Sequence, residues 1–151
     1  MLRGSHYLAA PPPGCLVCVE VREAAVGLFG VEVAIGPLLG VVLVGRPIAR
    51  KLPQDGSMGE ITRMVLLDGL PHGTASSVLR RVADICRRRG MVALIANHDR
   101  TRHTGCIYRK AGFRKDGATI APNGKGWASR PGREQGASSQ STPKRRWRID
   151  L

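Results

Sequence analysis

The stretch from Asp68 to Ala96 restricts the fold most, because a glycine-bearing turn, an amphipathic segment, a glycine stop and an apolar run follow one another there. Val78, Leu79, Val82, Ala83 and Cys86 recur at helical spacing, while Arg80, Arg81, Asp84, Arg87 and Arg88 cover the opposite side. The pattern predicts a helix over 74–89 with cations in its last turn, where they complement the helix dipole, and Gly90 beyond its end. Residues 91–96 then read as a buried strand. A further strand is expected over 60–67, with Glu60, Thr62, Met64 and Leu66 on one face and Ile61, Arg63, Val65 and Leu67 on the other.

Upstream, Pro11-Pro12-Pro13-Gly14 cannot be helical. Residues 15–21, 30–35 and 38–44 are apolar, branched and punctuated by glycine, the pattern of antiparallel strands with tight turns. Downstream, a short helix is expected over 104–111, with Gly112 past its end and Phe113 opening another strand. From about Lys115 glycine, serine, proline and basic residues dominate. The chain is therefore divided into a main domain over 1–127 and a basic, Gly/Ser-rich tail over 128–151, closed by Lys144-Arg145-Arg146-Trp147-Arg148.

Composition narrows the classes. The 151 residues carry 24 Lys+Arg against 11 Asp+Glu, a formal charge of +13, which attracts polyanions such as nucleic acid in a salt-dependent way; a basic protein whose charge affects only solubility accounts for it equally. A hydrophobic fraction of 42% argues against wholesale disorder. No apolar run approaches the roughly 20 residues needed to span a bilayer, and residues 1–7 lack a signal-peptide core, so the expected location is the cytoplasm. Cys15-Leu16-Val17-Cys18 has the spacing of a zinc or redox half-site, yet a strand sends positions i and i+3 to opposite faces, and no second pair accompanies it.

Two constellations could carry chemistry. The turn Leu70-Pro71-His72-Gly73-Thr74-Ala75-Ser76 opens a helix, whose outward N–H groups can hold a pyrophosphate; an ordinary start capped by Thr74 or Ser76 is the plainer account of this stretch taken alone. The run from Asn97 to Tyr108 follows a buried strand, and ligands favour the crevice beyond strand carboxyl ends. Asp99 and His103 can act as acceptor, base or metal ligand there, and Tyr108 carries a phenolic proton. The plainer alternative pairs Asp99 with Arg100 or Arg102 and packs Tyr108 against the sheet. His6-Tyr7 gains meaning only beside this second run.

The order of these features resembles the GNAT acyltransferases. The turn Leu70–Ala75 is similar to their coenzyme A pyrophosphate loop, without the Arg or Gln usual at its first position, and Tyr108 in Ile107-Tyr108-Arg109-Lys110-Ala111-Gly112-Phe113 resembles their proton donor. A closer resemblance is to the Mom-like DNA-modification proteins of bacteriophages, a divergent branch of that superfamily. It rests on His6-Tyr7, Pro12-Pro13-Gly14, Glu60-Ile61-Thr62-Arg63, Leu70–Ser76 and the run Asp99 to Phe113.

The resemblance implies an α/β (α+β) fold with a mixed, mainly antiparallel sheet flanked by helices and an extended basic C-terminal tail. It implies an enzyme adding a carbamoylmethyl-like group to N6 of adenine in phage DNA, which protects that DNA from restriction. Tyr108, Asp99, His103, Glu60, His6 and Tyr7 would then be catalytic, with Leu66, His72, Gly73, Thr74, Ala75 and Ser76 around acetyl-CoA or a related donor. Arg80, Arg87, Lys144, Arg145, Arg146 and Arg148 are the expected DNA contacts. If His6, Asp99 and His103 converge, they form a 2-His-1-carboxylate set of the kind that binds iron. The competing expectations are a GNAT N-acetyltransferase acting on a small amine or protein lysine, and a basic DNA-binding protein without catalysis.

Overall fold

The computed structural model describes residues 14–23, 25–26, 32–33, 36–119 and 142–151. His6, Tyr7 and the proline run lie outside the described residues, as does most of the segment assigned to the tail. The described residues form strands β1 (Val17–Arg22), β2 (Ala25–Val26), β3 (Glu32–Val33), β4 (Leu38–Gly45) and β5 (Met58–Leu66), then helix α1 (Thr74–Arg88), strand β6 (Ala93–Asp99), helix α2 (Cys106–Lys110), and strands β7 (Arg114–Thr119) and β8 (Lys144–Asp150).

Six strands make the main sheet in the order β1-β4-β5-β6-β8-β7, and β2 pairs with β3 separately. Every neighbouring pair in the main sheet is antiparallel except β5 and β6, which are parallel. The parallel pair follows from α1: a helical crossover returns the chain to the same end of the sheet before it enters β6. The expected α+β class with a mixed, mainly antiparallel sheet is the one observed.

Helix α1 buries Leu79, Val82, Ala83 and Cys86 against one sheet face, where they meet Val42, Val44, Ile61, Leu94 and Ala96. Full burial of each such Leu or Val side chain contributes roughly 1.5–3 kcal/mol. The other face of the central strands carries a smaller cluster of Met58, Ala93 and Ile95. Along β6, side chains alternate between these clusters, so His98 follows Leu94 and Ala96 onto the helical face, and Asn97 and Asp99 follow Ile95.

Two expectations are corrected. The strict alternation assigned to 60–67 fails because the register against β4 shifts: Val44 faces Ile61, while Leu43 faces Arg63. Thr62 is the extra residue of a bulge, its hydroxyl donating to Leu43 O at 3.2 Å. Beyond a bulge the faces exchange, so Met64 joins the helical face with Ile61 and Arg63 joins Glu60.

Lys144–Arg148 is the larger correction. These residues belong to β8, inserted between β6 and β7, and not to a solvated tail. Trp147 is 3% exposed in the main core, and Ile149 and Leu151 pack against that core. The period-two spacing of these apolar residues outweighs the cations around them, of which Arg146 and Arg148 alternate with Trp147 and Ile149 onto the other face.

Candidate active site

Strands β5 and β6 pair over only four positions, from Met58 opposite Ala93 to Ile61 opposite Ala96. β5 then runs on to Leu66 held by β4, and β6 runs on to Asp99 held by β8. Each strand keeps its outer neighbour and loses its inner one, which splits the carboxyl end of the sheet into a wedge. Ligands of open α/β sheets occupy such crevices.

Helix α1 starts after β5. Its first boundary residue, Gly73, has φ 93°, and no side chain caps the helix, so neither Thr74 nor Ser76 plays the capping role the sequence left open. The Thr74 hydroxyl donates backwards to Pro71 O at 2.7 Å, and Ser76 is buried. Thr74 N donates to Pro71 O and Ser77 N to Gly73 O, which leaves the amides of Ala75 and Ser76 as first-turn donors without a described acceptor. A Cβ on Gly73 would meet nothing within 4 Å, so the backbone is open to approach there. The first turn holds no acidic residue, and its partial positive charge is unopposed. His72 at the turn is bridged to α2 by Lys110, whose Nζ lies 3.1 Å from His72 Nε2. Leu66, half-buried, ends β5 opposite Gly40.

On the helical face of the wedge, Tyr108 projects from α2 into a group of rings. It stacks on His98 at 5.9 Å between centroids and on Trp147 at 5.8 Å, and Phe113 meets it edge-on. The Trp147 indole Nε1 donates to His98 Nδ1 at 2.7 Å. His98 belongs to the segment of β6 that has already parted from β5, so this ring cluster borders the wedge. Burial pushes the His98 pKa below its ordinary value, assisted by His103, Arg145 and Arg100 and opposed by Asp99.

The opposite face carries Glu60, which is 4% exposed. Its Oε1 accepts from Asn97 Nδ2 at 2.9 Å and its Oε2 from the Ile48 amide at 2.8 Å. Asp99 faces the same way but is engaged locally: Oδ1 accepts from the Thr101 amide at 2.8 Å and the Thr101 hydroxyl at 2.6 Å. Its backbone carbonyl accepts from the amides of Arg102 and His103. Those side-chain bonds, with Thr142 and Arg102 adding to them, hold the carboxyl below its usual range and make it a weak base. Asp99 therefore organises the loop that leads to α2.

Of the expected catalytic residues, the wedge brings Tyr108 and Glu60 to its two faces. His103 is exposed on the loop after β6, and His6 and Tyr7 lie outside the described residues. Among the described residues, no group of three His, Cys, Asp or Glu side chains could hold a metal ion, so the iron set has no support there. Arg80 and Arg87 are exposed on α1, the latter paired with Asp84 at 2.9 Å. Arg146 pairs with Asp116 and Arg148 with Asp150, each at 2.7 Å, and both stand on β8 with Lys144 and Arg145. No described helix is long and apolar enough to cross a membrane.

Sequence reading passed over His98, Trp147 and Asn97. Their signals were present: Asn97 and His98 continue a buried strand past its apolar run, and Trp147 starts the alternation Trp147, Ile149, Leu151.

The mixed sheet with one parting parallel pair and a helix opening at its mouth has the fold of solved GNAT acetyltransferases. The chain is similar to an acetyltransferase from Bacillus subtilis solved in complex with CoA, at 17% identity and TM-score 0.55 over 80% of this chain and 74% of that one. It is similar in the same measure to an IAA acetyltransferase from Bacillus cereus, at 18% identity and TM-score 0.54 over 80% and 75% of the two chains. A GNAT family acetyltransferase from Elizabethkingia anophelis with acetyl-CoA bound matches at 17% identity and TM-score 0.55 over 80% and 73%. No protein-family model and no curated protein matches the chain.

Proposed function

We propose that this chain is a GNAT-type N-acyltransferase that moves an acyl group from an acyl-CoA to an amine. The parting of β5 from β6, with the open start of α1 at its mouth and Tyr108 on its flank, carries this reading. The amides of Ala75 and Ser76 would hold the donor's pyrophosphate, and the absence of a Cβ at Gly73 lets a phosphate approach closely. An acyl-CoA, when bound, supplies the thioester whose acyl carbon the amine takes.

The chain's own groups then divide the proton transfers. Glu60, on the face opposite α1, accepts the proton lost by the amine nitrogen as the C–N bond forms, directly or through a water. Tyr108, on the helical face, returns a proton to the sulfur as the C–S bond breaks. Acetyl-CoA labelled in its acyl group, offered with polyamines and lysine peptides, tests this. Labelled amide product is expected, and Tyr108→Phe should lower kcat by about 10²–10⁴-fold while leaving the KM for acetyl-CoA near its wild-type value. Equal turnover by that variant sinks the assignment of Tyr108.

A second reading is the Mom-like one, modification of adenine N6 in DNA. The formal charge of +13 and the exposed arginines Arg80, Arg81 and Arg88 along α1 favour it, because they form a cationic surface suited to phosphates. A base held in a duplex would have to flip out to reach the wedge. Mass spectrometry of nucleosides from DNA of expressing cells separates the readings: a new adenine adduct supports this one, and unmodified DNA with amide formation on small amines supports the first.

A further inference from the structure

We propose that Trp147 and His98 form a positioning relay for Tyr108, in which the indole fixes the imidazole as a neutral ring bearing its proton on Nε2, and the two rings together fix the phenol. The relay rests on the reading of Tyr108 as the proton donor, and adds to it two residues from strands far apart in sequence.

The tautomer follows from elementary chemistry. An indole N–H can only donate, so His98 Nδ1, 2.7 Å from Trp147 Nε1, is the acceptor. The proton of the neutral ring is then on Nε2. Protonating Nδ1 would set two donors against each other inside a group of buried side chains, since Trp147 is 3% and His98 6% exposed. The groups that face the imidazole from its surroundings oppose a second proton on balance. They are His103 and Arg100 from the following loop and Arg145 from β8, against Asp99 alone from β6.

Geometry ties the relay to Tyr108. The His98 and Trp147 rings are tilted by 33° to each other at 6.0 Å, yet each lies within about 21° of parallel to the phenol ring. The three centroids form a near-equilateral triangle, so the phenol rests beside a pair of flat neighbours whose mutual position is set by a hydrogen bond. Gly105 closes the arrangement at the start of α2. A Cβ there would fall 2.7 Å from both His98 Cε1 and Trp147 Cζ2, so this backbone rests directly on the pair. Its φ of 74° turns the chain so that Tyr108, a helical turn on, reaches back over them.

The test uses the full chain with nitrogen-15-labelled histidine. In the wild type, His98 should show an unprotonated, hydrogen-bonded Nδ1 and a protonated Nε2 from pH 8 down toward the ordinary histidine value of 6.5. Trp147→Phe keeps an aromatic ring but removes the donor; its His98 should mix tautomers and take up a proton at higher pH. The same variant should lower kcat for acyl transfer by about 10²-fold, the scale of a small misplacement of a reacting group, with KM for acetyl-CoA within about twofold. His98→Asn, which keeps an acceptor for the indole but removes the ring from beside the phenol, should fold with less loss and also lower kcat selectively.

Mixed tautomers in the wild type overturn the proposal. So does a Trp147→Phe protein with altered tautomers and an unchanged kcat. A locked His98 in a protein that transfers no acyl group to any amine removes the transfer reading instead, and leaves the relay standing as the device that fixes the rings.

Discussion

Asn97 Nδ2 donates to Glu60 Oε1 at 2.9 Å, and this bond spans the point where β5 and β6 separate. Glu60 precedes the last paired residue of β5, and Asn97 follows the last paired residue of β6. The carboxylate also receives the Ile48 amide, so one buried side chain ties both strands and the loop after β4.

Glu60→Gln should therefore destabilise the protein. An amide cannot accept at both ends, and its NH2 would confront either Asn97 or the Ile48 amide. About 1–3 kcal/mol is expected for the donor left unsatisfied. Urea unfolding measures it, and a midpoint equal to wild type would show that Glu60 is not the tie described.

Gly105→Ala and Gly73→Ala should differ sharply although both glycines have positive φ, 74° and 93°. At Gly73 the added methyl enters open space, so only backbone strain of about 1–2 kcal/mol applies. At Gly105 it also collides with His98 and Trp147, which should raise the loss by about 1–3 kcal/mol. Parallel denaturation of the two variants checks the order, and equal losses would contradict the close contact.

The His98 pKa is depressed on folding, chiefly by burial. The unfolded chain then binds a proton near the ordinary value of 6.5, where the folded chain does not. The contribution of the neutral ring to stability is complete above that pH and declines as pH falls toward the folded value. Unfolding free energies measured from pH 8 to 5 should fall over the acid half of this range, and His98→Asn should flatten the decline. An equal slope in the variant would remove His98 as its source.

Deleting residues 144–151 should abolish cooperative folding. The deletion removes β8 from between β6 and β7 and takes the buried Trp147 with it. Retention of a sharp thermal transition would mean that the sheet does not need this strand.

What was legible in the sequence differs by element. α1 was plain because Leu79, Val82, Ala83 and Cys86 repeat at helical spacing, and its expected span of 74–89 differs from the observed Thr74–Arg88 by one residue. Tyr108 was marked by its place in a short glycine-bounded helix. The bulge at Thr62 was not legible, because a register shift depends on the partner strand and leaves no mark in the alternation of β5 itself. β8 was missed because Lys144, Arg145, Arg146 and Arg148 dominate its composition, although Trp147, Ile149 and Leu151 carried a period of two. The ring cluster could not be seen at all from local pattern, since it joins β6, α2 and β8.

The order of strands has a kinetic consequence. β1, β4, β5 and β6 can associate through connections that are short or bridged by α1, whereas β8 must return across a long separation in sequence to pair with β6. Closing so large a loop delays its reward until late in folding. The imidazole of His98 gains its indole partner only through that long-range pairing, so the ring cluster is completed together with the sheet itself.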